Sequence, residues 1–130
     1  MHDCFALRFR ADVQVTFSAD TCYFPPLIDF ARHSDVLVHE AMLPAGLDAL
    51  VAKTGGGDKL RQHLLDSHTT AAQVASLATA AAVKHLVLHH LIPADDPQFT
   101  SVDWQAAVRP SWGGPLSIAH DDLVIPIVAL

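Results

Sequence analysis

The sequence predicts an α/β domain, and three observations carry that prediction. Two short apolar runs, residues 35–39 (DVLVH) and 84–89 (KHLVLH), have the length and composition of buried parallel strands. Between them Thr70-Ala71-Ala72-Gln73 forms a capping box that opens a helix running to about Val83. A strand, helix, strand order within one sheet requires a right-handed crossover, and therefore a parallel pair. The third observation is size. A chain of 130 residues and 14.0 kDa buries roughly two thirds of its unfolded surface, enough for one core, so residues 1–130 read as a single domain.

The remaining elements follow in chain order. Phe5, Leu7 and Phe9 alternate with Ala6, Arg8 and Arg10, and Val13, Val15 and Phe17 repeat the alternation after Ala11-Asp12, which predicts a hairpin with one buried face. Pro25 and Pro26 break that pattern and start a short helix through Leu27, Ile28, Phe30 and Ala31. Residues 44–58 hold PAG and GGGD, so part of this stretch is expected to be loop, the most mobile region of the chain, with one or two helical turns over 47–52. Alanine on every face of the helix after Thr70 predicts close packing against a sheet. Beyond 84–89 come a loop with Pro93, Asp95, Asp96 and Pro97, an amphipathic turn or helix over 102–108, a turn at 112–115, and two short strands at 116–119 and 123–128.

The balance of 8 Lys and Arg against 14 Asp and Glu gives −6, with 51% hydrophobic and 17% charged residues. That composition excludes global disorder. It also argues against binding nucleic acid or an anionic membrane by charge alone, although a metal centre can reverse the local sign. No apolar run approaches the length of a membrane span, and MHDCFALRFRAD lacks the apolar core of a secretory leader, so a cytoplasmic location is expected. Cys4 and Cys22 show neither zinc-knuckle nor disulfide spacing.

The chemistry-bearing residues stand where strands end: Asp20 after VQVTFS, His39-Glu40 after DVLV, and His89-His90 after KHLVL. Ser67-His68-Thr69 precedes the alanine-rich helix, so His68 can face the same rim. In open α/β sheets ligands collect at the carboxyl ends of strands. Asp, Glu and His from four segments are residue types that bind borderline metals and move protons. Each also has a plain structural account: Asp20-Thr21 as a turn with an Asx hydrogen bond, His39 and His89 as hydrogen-bonded core histidines. His2, His33, His63, His85 and His120 stand in no such constellation.

The strings VTFSADT, LIDFARHSDVLVHEA and SHTTAAQVASLATAAAVKHLVLHHLIP resemble the C-terminal half of metallo-β-lactamase-fold hydrolases, in the ribonuclease Z and arylsulfatase-like branch. That branch reads FSGDT, A-x-x-[AS]-D-x-L-[IV]-H-E-A, H-[ST]-T and L-x-L-[TS]-H in the same order. The likeness runs from about Phe5 to Pro93, and on to Val128 if AHDDLVI matches the A-x-DG-x-x-I ending. It implies the C-terminal half of an αββα sandwich, a mixed sheet with helices on one face. By position, Asp20 matches the aspartate that bridges two metal ions, usually zinc, and His90 matches the metal-binding histidine of L-x-L-[TS]-H. His89 fills the Thr/Ser slot, where strand alternation would point it away from His90. Glu40 and His68 match a pair in which the glutamate orients a histidine that protonates the leaving oxygen, raising that histidine's pKa. Ala19 replaces the glycine of SGDT, so its turn must accept a Cβ.

The signature H-x-H-x-D-H and a further ligand histidine, which the family carries in its N-terminal half, have no counterpart here. Asp20 and His90 supply two protein ligands, so tight binding of two zinc ions by this chain alone is not expected. The resemblance implies a zinc-dependent hydrolase of phosphoesters or other esters, ribonuclease Z-like, that is inactive without its N-terminal half. Nucleic acid is a possible substrate, but no basic arm for gripping RNA is visible. The alternative is a non-catalytic α/β module that associates with itself or with a separate N-terminal half; an isolated small-molecule binding domain is the third reading.

Overall fold

The apolar runs become strands at the expected places. In the computed structural model, which describes residues 3–128, β1 (Leu7–Arg10) and β2 (Gln14–Phe17) form an antiparallel hairpin with Leu7 opposite Phe17 and Phe9 opposite Val15. β3 (Val36–Met42), β4 (Leu86–Ile92) and β5 (Leu116–Ile118) then add in parallel, giving a five-stranded mixed sheet in the order β1-β2-β3-β4-β5. All four parallel strands point their carboxyl ends to one edge, which becomes the rim of the site.

Helices α1 (Leu27–Ala31), α4 (Ala71–Ala80) and α5 (Ser101–Val108) cover one face of the sheet. α4 opens with the expected capping box, in which the Thr70 hydroxyl accepts from Gln73 N at 3.3 Å and the Gln73 side chain accepts from Thr70 N at 3.0 Å. Ala71, Ala75 and Ala78 are fully buried, so the helix backbone lies close to the strands. Leu37, Leu86 and Leu88 of the sheet meet Val74 and Leu77 of α4, with Trp104 and Val108 of α5 alongside. Each such buried leucine stabilises the fold by about 1.5–3 kcal/mol.

Three expectations are corrected. The hairpin has no buried apolar face: Leu7 and Phe9 are 54% and 59% exposed, because they lie on the sheet face opposite the helices. There Phe9 and Phe17 meet edge to face at 6.0 Å, while Arg8 points to the helix side and lies over the Phe30 ring. Residues 44–58 hold more helix than the one or two turns expected. They form α2 (Pro44–Thr54) and the start of α3 (Gly57–Ser67). The prolines and glycines there are helix boundaries rather than breakers, with Pro44 in the first turn and Gly55 at φ 72° closing α2. Gly46 is needed as well, since a Cβ there would come within 2.3 Å of Pro93. Finally, residues 123–128 pair with no strand, leaving β5 as the sheet's edge. Among the described residues no helix is long and apolar enough to cross a membrane.

Candidate active site on the carboxyl edge

Glu40 ties the rim together. It sits near the carboxyl end of β3, fully buried, and its Oε1 accepts from Thr21 N at 3.1 Å and from Thr69 N at 3.0 Å. Its own backbone N–H donates to Ser18 Oγ at 3.2 Å. The Thr69 hydroxyl donates to Thr21 O at 2.6 Å, so the turn after β2 and the junction between α3 and α4 are fastened to each other as well as to Glu40. Ala19 makes that turn at φ 60°, so the turn accepts a Cβ in the left-handed conformation that glycine adopts more readily.

The turn presents Asp20, and the junction presents His68 in an extended conformation at the end of α3. His68 Nδ1 lies 3.3 Å from Glu40 Oε1, yet it has no hydrogen-bond partner, since the contact is long and misdirected for a charge-assisted bond. His90 reaches the same rim by a different device. Glu40 pairs with His89 and Ala41 with Leu91, so His90 is the extra residue of a β-bulge, at φ 44°. Its Nδ1 lies 3.3 Å from Asp20 Oδ1, and its ring stacks on His68 with centroids 5.8 Å apart. The structure thus brings together all four residues singled out in the sequence: Asp20, Glu40, His68 and His90.

His89 lies beside Glu40 in register, part-buried, and its Nε2 has no partner. His39 is a core histidine, as the plain account has it: it is buried, with Nδ1 at 2.7 Å from Glu40 O. Burial holds its pKa down to about 4. The same effect acts with opposite sign on Glu40, whose carboxyl is pushed up to about 7 by burial and further by the charge of Asp20, against the pull of its two backbone donors. His68 does not follow expectation. Burial lowers its pKa, and the charge that opposes this is Asp20, not Glu40, because Glu40 is itself reluctant to ionise and makes no hydrogen bond to the ring. Burial lowers His89 too.

Donor atoms of Glu40, His68 and His90 all lie within 4.8 Å of one another, with Asp20 in contact with His90. This carboxylate and imidazole set suits a zinc-class ion. It is too small for two ions held by three or more protein ligands each, so the residues present fit one ion and not a complete binuclear centre. A cleft of about 720 Å³, lined by His89, Asp95, Asp96, Trp104 and His120, adjoins the rim through His90. Ser18, Thr21 and Thr69 were not singled out in the sequence. Their signal was the Ser and Thr flanking Asp20 and His68 in VTFSADT and SHTT.

No family model matches the chain. Curated relatives do. The chain is 37% identical to Ribonuclease Z of Pseudomonas putida over 97 residues, covering 70% of this chain and 26% of the relative. It is 28% identical to Ribonuclease Z of Myxococcus xanthus over 118 residues, covering 91% of this chain and 34% of that one. The chain therefore spans between a quarter and a third of the length of these relatives. Among solved structures it superimposes on the metallo-β-lactamase fold protein YhfI of Bacillus subtilis with a TM-score of 0.64 at 21% identity, over 89% of this chain and 41% of that one. Human tRNase Z, short form, gives a TM-score of 0.51 at 21% identity, over 89% and 34%. This partial coverage fits the C-terminal portion to which the motifs were assigned. The chain is a ribonuclease Z homologue that carries part of the metallo-β-lactamase fold.

Proposed function

We propose that this chain is the C-terminal portion of a zinc-dependent phosphodiester hydrolase of the ribonuclease Z kind, inactive until an N-terminal half supplies H-x-H-x-D-H. One observation carries the reading: Asp20, Glu40, His68 and His90, from four separate segments, converge on the carboxyl edge with paired contacts of 3.3 Å. A zinc ion, when bound, polarises the phosphoryl oxygens and stabilises the charge that develops on them. Asp20 and His90 are this chain's contribution to holding it. His68 donates a proton to the leaving oxygen; burial lowers its pKa and depletes the protonated ring at neutral pH, and the charge of Asp20 opposes that loss. Glu40, locked by Thr21 and Thr69, stands with Oε1 3.3 Å from His68 Nδ1, close enough to orient the ring once the two groups realign into a hydrogen bond.

The exposed apolar hairpin face supports the need for a partner. Leu7, Phe9 and Phe17 lie side by side without a covering layer, a contiguous patch of the kind that marks an interaction site. We assign its covering to the N-terminal half, since the chain matches only 41% of the YhfI fold that it resembles. Association of two copies through that face is the second reading.

Hydrolysis of bis(p-nitrophenyl) phosphate tests the proposal. The chain alone, loaded with zinc, is expected to show no turnover, and mixing it with an N-terminal half bearing H-x-H-x-D-H is expected to create it. Stoichiometric zinc with turnover by the isolated chain, abolished by Asp20→Ala, would overturn the claim that it is incomplete.

A further inference from the structure

We propose that the isolated chain binds one divalent cation of the zinc class between Glu40, His68 and His90, with His68 and Glu40 serving as ligands and Asp20 in contact with His90. This goes beyond the reading above, in which those two residues handle a proton and only Asp20 and His90 face metal. The spacing is the first support. Zinc–donor distances of about 2.0–2.1 Å in a tetrahedron place neighbouring donors about 3.3 Å apart. One pair on the rim stands at that separation, His68 Nδ1 to Glu40 Oε1 at 3.3 Å, and a donor atom of His90 lies within 4.8 Å of donors on both. Charge-assisted hydrogen bonds between the same groups would close to about 2.7–2.9 Å.

The second support is independent of spacing. Glu40 is completely buried, its Oε2 has no partner, and its carboxylate belongs to the group of donors that lie within 4.8 Å of one another. A buried oxygen with no hydrogen bond is costly, and coordination is one of the few ways to satisfy it. His68 Nδ1 is in the same condition on the adjacent side chain. The rings of His68 and His90 lie side by side, with centroids 5.8 Å apart.

Such an ion would occupy His68 and Glu40 in the isolated chain and so withhold the proton donor. Assembly with an N-terminal half, bringing its own ligands, would release them. The rim would thus be held in a metal-bound resting form until the site is completed.

Titration of the metal-free chain with Zn²⁺ by calorimetry, and with Co²⁺ followed by its visible absorption, reads the site without any substrate. One equivalent of either ion is expected, with the intense visible bands of four-coordinate Co²⁺. His68→Ala and His90→Ala should each weaken binding by more than about tenfold, while His33→Ala should leave it unchanged. Circular dichroism of each variant confirms that it remains folded. Binding that survives His68→Ala but not His90→Ala would overturn the proposal, as would ion uptake spread over several weak sites. Failure of the hydrolase reading appears elsewhere, as absent turnover after complementation, so the two outcomes are separable.

Discussion

The two edges of the parallel sheet both carry polar side chains and treat them in opposite ways. At the amino edge, Asp35 accepts from Gln14 N at 2.7 Å and from Lys84 Nζ at 2.6 Å, and Gln14 Nε2 donates to Ser34 Oγ at 2.8 Å. Ser34 Oγ in turn meets Thr16 Oγ1 at 2.8 Å. Nothing there is left over. At the carboxyl edge His39 Nε2, Glu40 Oε2, His68 Nδ1 and His89 Nε2 are buried without partners, and these are all of the orphaned side-chain atoms among the described residues. Each costs about 1–3 kcal/mol, an expense that folding alone does not justify. The amino edge is polar in order to hold the fold. The carboxyl edge is polar at the fold's expense, which agrees with the role proposed for it.

Mutations can break that contrast. The largest effect is expected from His68→Ala: turnover of the complemented enzyme on bis(p-nitrophenyl) phosphate should fall about 100- to 10,000-fold, with little change in the thermal midpoint. A midpoint that dropped as far as in an amino-edge variant would place His68 among the structural residues.

Glu40→Gln sharpens the comparison through pH. Because the folded-state pKa is raised from 4.5 to about 7, the proton is held more tightly in the fold. Its stabilising contribution is complete below about pH 4.5 and is lost as pH rises through about 7. The metal-free variant should therefore outlast the wild type at pH 8 by on the order of 1–3 kcal/mol, with the advantage gone near pH 4.5. Urea melts at the two pH values measure it. A net loss at pH 8 would show that the ties to Thr21 and Thr69 outweigh the desolvation of the carboxylate.

Ser34→Ala, on the opposite edge, removes a fully buried partner of Thr16 and Gln14 and should cost about 1–3 kcal/mol in the same melts, with zinc uptake unaltered. The smallest effect belongs to Lys84→Met. Lys84 is more than half exposed, so its pair with Asp35 is screened by solvent and its loss should cost less than about 1 kcal/mol. The pair and the Gln14 N–H hold the Asp35 carboxyl below its usual value. Their contribution is therefore present above about pH 3.8 and lost as pH falls through the lower folded value, and Lys84→Met should flatten that acid limb.

Much of the fold and of the site was legible in the chain, and the exceptions have physical causes. The runs DVLVH and KHLVLH and the box T-A-A-Q are local signals whose meaning survives tertiary packing, so β3, β4 and α4 stand where they were expected. The stretch over 44–58 misled because Pro and Gly punctuate helix ends as readily as loops, and only the flanking packing decides which. The hairpin alternation correctly marked one apolar face, but whether that face is buried depends on a layer that no local pattern encodes. At the site, residue type and strand-end position singled out Asp20, Glu40, His68 and His90. The position of His90 depends on a bulge that strand alternation does not contain.

Residue order along the chain is thus sufficient for the elements, the parallel sheet and the four side chains at its carboxyl edge, because helix caps, apolar periodicity and strand ends are short-range properties. Geometry belongs to the assembled molecule. Only packing buries Glu40 deeply enough to push its carboxyl to about 7, lets burial rather than a carboxylate set the pKa of His68, and leaves Leu7 and Phe9 uncovered on the far side of the sheet. Those outcomes are sums over neighbours distant in sequence, and desolvation and the covering of a sheet face are sums of that kind.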